Sequence, residues 1–149
     1  MEMVKNGPHQ EYFQRYLGRA AFGFKAALEN AFREAGWEIT SPQWLLLHAL
    51  KQEEGVPQKD LARRTLKDKT NVARILAYLE EMDLIVRRKD LDDQRCYRVF
   101  LTPSGRRAER ELTSAAGKTL KQALEGIPRE QLQETMNTLR QMHHNLINL

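Results

Sequence analysis

Apolar residues near the start of the chain recur at alternating steps of four and three: Phe13, Leu17, Ala20, Phe24, Ala27 and Ala31. That spacing predicts a helix from about His9 to Ala35, ended at Gly36, a residue suited to a left-handed cap. Its apolar stripe is narrow, the kind of seam that packs on another helix. Thr40-Ser41-Pro42 predicts a second helix start, because Ser or Thr caps free N–H groups and Pro fits the first turn. The body of that helix, Trp44 to Leu50, is apolar nearly all round and predicts a central, enclosed element that stops at Gly55.

Two shorter helical stretches follow, Gln58 to Thr65 and Lys69 to Met82, and then a β-leaning run, Leu84-Ile85-Val86. A charged turn from Lys89 to Gln94 leads to a second strand, Arg95 to Leu101, with Tyr97, Val99 and Leu101 on one face. Thr102 caps a further helix with Pro103 in its first turn, and Gly126-Ile127-Pro128 breaks it. The last helix repeats the step of four and three through Leu132, Met136, Leu139, His143 and Leu146. The seams of the two terminal helices have no obvious partner in the small middle unit. A symmetric homodimer gives them one, and two-fold symmetry is the commonest oligomeric arrangement.

Composition narrows the class. With 149 residues, 41% hydrophobic and 30% charged, the chain suits one soluble globular unit. It has no apolar run near the ~20 residues of a membrane span, and Met1 to Gln10 lack the apolar stretch of a secretory signal. Cys96 is the single cysteine, so no internal disulfide forms and a cytoplasmic location is expected. Charge is uneven. Fourteen Lys or Arg stand against nine Asp or Glu between Gln58 and Arg110, while the remainder holds ten bases and eleven acids. Clustered cations of this kind suit a polyanion, although a solvated basic face gives the same count.

The stretch from Asp68 to Met82 carries the most chemistry. Asp68 is placed to cap the helix; Val72, Ile75, Leu76, Leu79 and Met82 form an inner face, and Lys69, Thr70, Asn71, Arg74 and Tyr78 lie opposite. A helix in the major groove needs this division, since Arg grips guanine and Asn grips adenine with paired hydrogen bonds. Arg87-Arg88-Lys89, the acids Asp90, Asp92 and Asp93, and Arg95 form a charged hairpin that reads as a wing along the phosphates. An Arg at its tip suits the minor groove, with Asp93 expected to orient Arg95 through a carboxylate–guanidinium bond. An ordinary surface hairpin with a salt bridge is the plainer alternative.

Gln58-Lys59-Asp60-Leu61-Ala62, Asp68 to Arg74, Leu79 to Arg87, Asp90 to Arg95 and Leu101 to Arg106 together resemble, in order and spacing, the MarR family of transcription regulators. The likeness runs from about Pro42 to Arg110. It implies a mainly α fold, a winged helix-turn-helix with N- and C-terminal helices forming a dimerisation module. Residues 1–39 and 103–149 would dimerise and 40–102 would hold double-stranded DNA. It further implies an obligate homodimer on a roughly palindromic operator, most often a repressor released by a small molecule. The resemblance carries recognition onto Thr70, Asn71 and Arg74 and the minor-groove role onto Arg95 with Asp93 in support; Lys69 on the same outer face and Arg88 in the basic hairpin are expected to meet DNA beside them. Three positions depart from the pattern: Asp83 stands for a usual Gly, Leu66 for a frequent Gly, and Pro57 for a common Ser or Thr cap.

A crevice for a small aromatic effector is also implied. Tyr16 and Arg19 share a face of the first helix and Trp44 and His48 a face of the second, although Trp44 and His48 also suit plain core positions. His9, His48, His143, His144 and Cys96 do not complete a metal set, and no cofactor is expected. There is no phosphate loop or nucleophile motif, and the acids are read as solvated, so no enzyme is expected. The rival from another class is a helical protein–protein adaptor that uses a winged unit without DNA.

Overall fold

The computed structural model describes residues 8–64 and 69–147, with side chains described over 12–64 and 71–147. In chain order the elements are α1 (Pro8–Glu34), α2 (Ser41–Gln52), β1 (Val56–Pro57), α3 (Gln58–Arg64) and α4 (Lys69–Glu81). Then come β2 (Ile85–Lys89), β3 (Tyr97–Leu101), α5 (Pro103–Ala123) and α6 (Arg129–Ile147). Among the described residues no helix is long and apolar enough to cross a membrane. One compact unit runs as far as Thr119 and a second begins at Leu120, within the last turn of α5.

The expected caps form. Gly36 takes φ +90°. The N–H of Trp37 reaches back to the Phe32 carbonyl and that of Gly36 to Arg33, which satisfies the end of α1. At α2, Thr40 and Gln43 each bond the other's backbone N–H in a reciprocal capping box. Asp83 adopts φ 57°, a left-handed conformation that Asp tolerates, and Leu84 N–H closes on the Leu79 carbonyl. Asp68 and Leu66 lie outside the described residues.

A single apolar core fills the first unit. Leu46, Leu47 and Leu50 of α2, Leu61 of α3 and Leu76 and Leu79 of α4 are fully buried. Leu28 and Phe32 of α1 and Ala108, Leu112 and Ala116 of α5 join the same cluster. The enclosed helix is thus open on one side, with Leu45 42% exposed. The seam expected on α1 is exposed from Phe13 to Ala27, and the buried positions are its neighbours Leu28 and Phe32. In the second unit α6 buries no residue at all.

The sheet has the antiparallel order β1-β3-β2. Its third strand was not expected: two residues are too few to show alternation. Val56 pairs Val99 and Pro57 pairs Arg98, and Pro is tolerated because β1 is an edge. The second strand of the hairpin starts at Tyr97 rather than Arg95. Val99 and Leu101 point into the core, while Tyr97, at the far end, is exposed.

Where the hairpin returns, Thr102 makes the junction. Its N–H donates to the Leu84 carbonyl, its hydroxyl donates to the Asp83 carbonyl, and that same oxygen accepts the N–H of Gly105, capping α5. Gly105 is buried there, and a Cβ built on it would lie 1.8 Å from the Leu84 oxygen. No side chain fits without moving backbone. Gly105→Ala should therefore destabilise the chain by roughly 1–3 kcal/mol or more despite the better helix propensity of Ala. Urea unfolding measures it, and a gain in stability would show that α5 does not seat this closely.

Candidate nucleic-acid interface

Helix α4 is amphipathic as its sequence predicts. Val72, Ile75, Leu76 and Leu79 are buried, Arg74 is exposed and Asn71 is half-buried. The side chains of Lys69 and Thr70 lie outside the described residues. Arg74 donates from Nη2 to Asn71 Oδ1 at 3.0 Å, one turn away. That bond fixes one edge of the guanidinium and leaves its other N–H donors to meet acceptors beyond the protein. Tyr78 departs from its expected role: its hydroxyl donates to the Glu38 carbonyl at 3.1 Å and ties α4 to the loop before α2.

The wing is held to α4 by a contact that sequence reasoning missed. Arg87 donates from Nη2, Nε and its backbone N–H to the Glu80 carboxylate at 2.8, 3.2 and 3.2 Å. This fork, chiefly its side-chain hydrogen bond, holds the Glu80 carboxyl below the usual carboxylate range. Across the hairpin Arg88 stacks its guanidinium over Phe100, 5.3 Å from the ring centre, and its backbone pairs with Arg98.

At the tip the acids divide their work differently from the expectation. Asp93 accepts the backbone N–H of Arg95 at 3.1 Å and the Cys96 thiol at 3.4 Å. It supports Arg95 through the main chain, not through the guanidinium. The carboxylate that meets a guanidinium is Asp90, which receives Arg98 Nε at 2.5 Å. Its other oxygen takes the N–H groups of Asp92 and Asp93 at 2.8 and 3.3 Å. The Asp92 backbone bond, then Arg98, lowers the Asp90 pKa, with the Asp93 bond adding less. Arg98 also donates to the Gly55 carbonyl, so one ion pair shapes the turn and anchors it to the edge strand. Arg95 is left exposed at the tip with no ion pair among the described residues. The hydrogen bond to Asp93, with partial burial, pushes the Cys96 thiol above its usual pKa, which opposes thiolate reactivity.

The residues expected at an effector crevice do not come together within one chain. The rings of Trp44 and His48 lie 5.8 Å apart, and Trp44 touches Phe32 at 5.7 Å. Tyr16 and Arg19 sit on the exposed N-terminal part of α1, roughly 20–24 Å along the helix from Phe32. They share neither a hydrogen bond nor a ring contact with Trp44 or His48.

Trp44 and His48 meet instead a residue expected to be solvated. Glu109 of α5 is fully buried. It accepts from His48 Nδ1 at 3.0 Å, Lys51 Nζ at 2.8 Å and Thr113 Oγ1 at 2.7 Å, and Trp44 Nε1 donates to the Thr113 oxygen at 3.1 Å. The signal was its place in the buried stripe of α5, between Ala108 and Leu112. Burial pushes the Glu109 pKa up, but the hydrogen bonds from Lys51, His48 and Thr113 outweigh it and the net shift is downward.

Residues 39–97 match the model of the MarR family. A probable transcriptional regulator from Pseudomonas aeruginosa has a similar structure at 27% identity and TM-score 0.79, covering 87% of this chain and 95% of that one. AbsC, a MarR family transcriptional regulator from Streptomyces coelicolor, aligns over 99% of this chain and 100% of its own at 19% identity and TM-score 0.86. BpsR from Bordetella bronchiseptica, whose DNA binding is regulated by 6-hydroxynicotinic acid, aligns at 23% identity and TM-score 0.79, over 87% of this chain and 91% of its own.

The Glu109 cluster sets an acid limit on stability. A carboxyl whose folded pKa is depressed contributes stability above its unfolded pKa and loses it as pH falls through the folded value. Stability should therefore decline below the ordinary glutamate range, near about pH 4.3. Glu109→Gln should flatten that decline and lower stability at neutral pH by roughly 1–3 kcal/mol. Urea unfolding of both proteins between about pH 7 and pH 3 checks it. An acid limb of equal slope in the variant would remove Glu109 from the account.

Proposed function

The winged helix of this chain belongs to the MarR family, and from that premise we propose that it works as a homodimer on a near-palindromic operator, repressing transcription until a small molecule releases it. The observation that carries the reading is the joining of α4, with Asn71 and Arg74 outward, to a wing that leaves Arg88 and Arg95 exposed. Asn71 and Arg74, with Lys69 and Thr70 before them, read base edges in the major groove. Arg95 enters the minor groove, its backbone steadied by Asp93, and Arg88 follows the phosphates. Residues 40–102 form the DNA-binding region, and residues 1–39 and 103–149 the dimerisation helices.

The small molecule is an aromatic acid, as for BpsR, which responds to 6-hydroxynicotinic acid. Trp44 and His48 supply an aromatic wall and an imidazole beside Glu109, and a ligand there acts on the α2–α5 contact. Tyr16 and Arg19 belong to the exposed part of α1, which a second protomer would cover.

Sequences selected from a random DNA pool test the interface. Arg74→Ala should cost about 1–3 kcal/mol on the selected site and relax preference at one base pair per half-site. Arg95→Ala should weaken binding with little change in major-groove preference. Selection that returns no enriched sequence, or wild-type affinity after both changes, overturns the reading. Titration of the complex with a panel of aromatic acids tests release.

The exposed seams test assembly. Phe13, Leu17 and Phe24 on α1 and Met136, Leu139 and Leu146 on α6 are all at least 36% exposed in a single chain. Leu139→Asp should yield monomer or aggregate and lose operator binding, as light scattering and band shift would report. A wild-type chain that scatters as a monomer at micromolar concentration removes the dimer.

A further inference from the structure

The N-terminus of α2 and the outward face of α4 enclose a groove of about 510 Å³, with Lys25 of α1 on its rim. Two cations line it, Lys25 and Arg74, and no carboxylate does. Arg74 is held by Asn71, as described above. Lys25 is exposed, with no ion pair among the described residues. Glu29, one turn further along α1, instead takes the Ser41 N–H at 3.0 Å.

The helix terminus itself has little to offer a ligand. Its backbone donors at Thr40, Ser41 and Gln43 are met by Gln43, Glu29 and Thr40 in turn. Whatever anion enters must be held by side chains: the Lys25 ammonium and the Gln43 amide, whose oxygen alone is committed to the cap, with the Arg74 charge beside them. Tyr78 closes one wall through its bond to the Glu38 carbonyl.

We propose that this groove seats a phosphate of the DNA backbone, so that Lys25 extends the DNA footprint from the winged unit onto the first helix. The inference rests on the DNA-binding reading above. The groove is continuous with the base-reading face, because Asn71 and Arg74 line both. A strand bordering the major groove that α4 fills must pass beside that helix, and Lys is a point charge suited to a phosphate rather than a base edge. The contact carries no sequence information; it adds affinity and fixes the tilt of α4 in the groove.

The full chain, in wild-type, Lys25→Ala, Lys25→Arg and Arg74→Ala forms, is titrated against the selected operator and a random duplex across a salt series. Lys25→Ala should weaken both duplexes by the same factor. It should also flatten the log–log salt slope by about 0.9 for each protomer, about 1.8 for the dimer, so that its deficit shrinks roughly twelvefold from about 50 to 200 mM salt. Lys25→Arg should keep the slope, and Arg74→Ala should alter the ratio between operator and random duplex. A Lys25→Ala slope equal to wild type overturns the phosphate seat while the wild type's own slope keeps the DNA reading. A wild-type chain that binds neither duplex overturns both.

Discussion

Helix α5 starts with its first turn laid on the Leu84 carbonyl, at a distance only a glycine allows, and the site is positioned from that contact. Leu84 directly follows the left-handed Asp83 that ends α4, and it leads into β2, the first strand of the wing. Thr102 ends β3, the second strand, and bonds both Asp83 and Leu84. The end of α4, both feet of the wing and the start of α5 therefore share three residues. The Arg87–Glu80 fork adds a second fastening a few residues on. A site built this way is fastened as one piece, as the proposed contact with a major groove and an adjacent minor groove requires.

The basic stretch from Gln58 to Arg110 serves two ends, and the excess of positive charge blurs them. Arg64, Arg87, Arg98 and Arg106 each hold a carboxylate at 2.5–2.8 Å, on Glu53, Glu80, Asp90 and Glu54. Those cations build the unit: Arg98 binds the turn to the edge strand and Arg87 binds the wing to α4. Arg74, Arg88 and Arg95 make no carboxylate pair among the described residues and face outward. The acids at the wing thus do not oppose DNA binding. They fix the backbone and neutralise the structural arginines, so that the field beyond the surface comes from the remaining ones.

Elements set by strong local signals were legible in the sequence: the capping box at Thr40, Gly36 in the left-handed cap, the inner face of α4 and the Thr102 cap of α5. Features that depend on which of several equivalent residues wins a contact were not. Three acids share one turn, and only the folded wing shows Asp90 taking Arg98 while Asp93 takes the Arg95 N–H. The step of four and three on α1 describes a surface, and Leu28 and Phe32, one position beside it, serve the chain's own core. Acids are usually solvated, and nothing about Glu109 itself marks it as an exception. Its neighbours Gly105, Ala108 and Leu112 mark the buried side of α5, but the bases that make burial tolerable come from α2, 58 or more residues away. Strand β1 had no period to read, being two residues long.

The buried carboxylate also constrains any switch. Glu109 is held by two bases from α2, so sliding α2 against α5 would leave a charge in the core with fewer donors, at a cost of several kcal/mol. Intermediate positions are therefore disfavoured, and two discrete arrangements are easier to maintain than a continuum. From α2 the chain runs back through the Thr40 cap to Glu38, whose carbonyl holds Tyr78 on α4. A ligand that displaced Trp44 or His48 would act on the same helix that α4 leans on through Tyr78. It would change DNA affinity only to the extent that it binds one arrangement better than the other. Tight binding alone does nothing; a hundredfold change in operator affinity needs a hundredfold preference between the two states. An anion accepting from His48 in place of Glu109 has that preference built in, because it is rewarded only where α2 has already left α5.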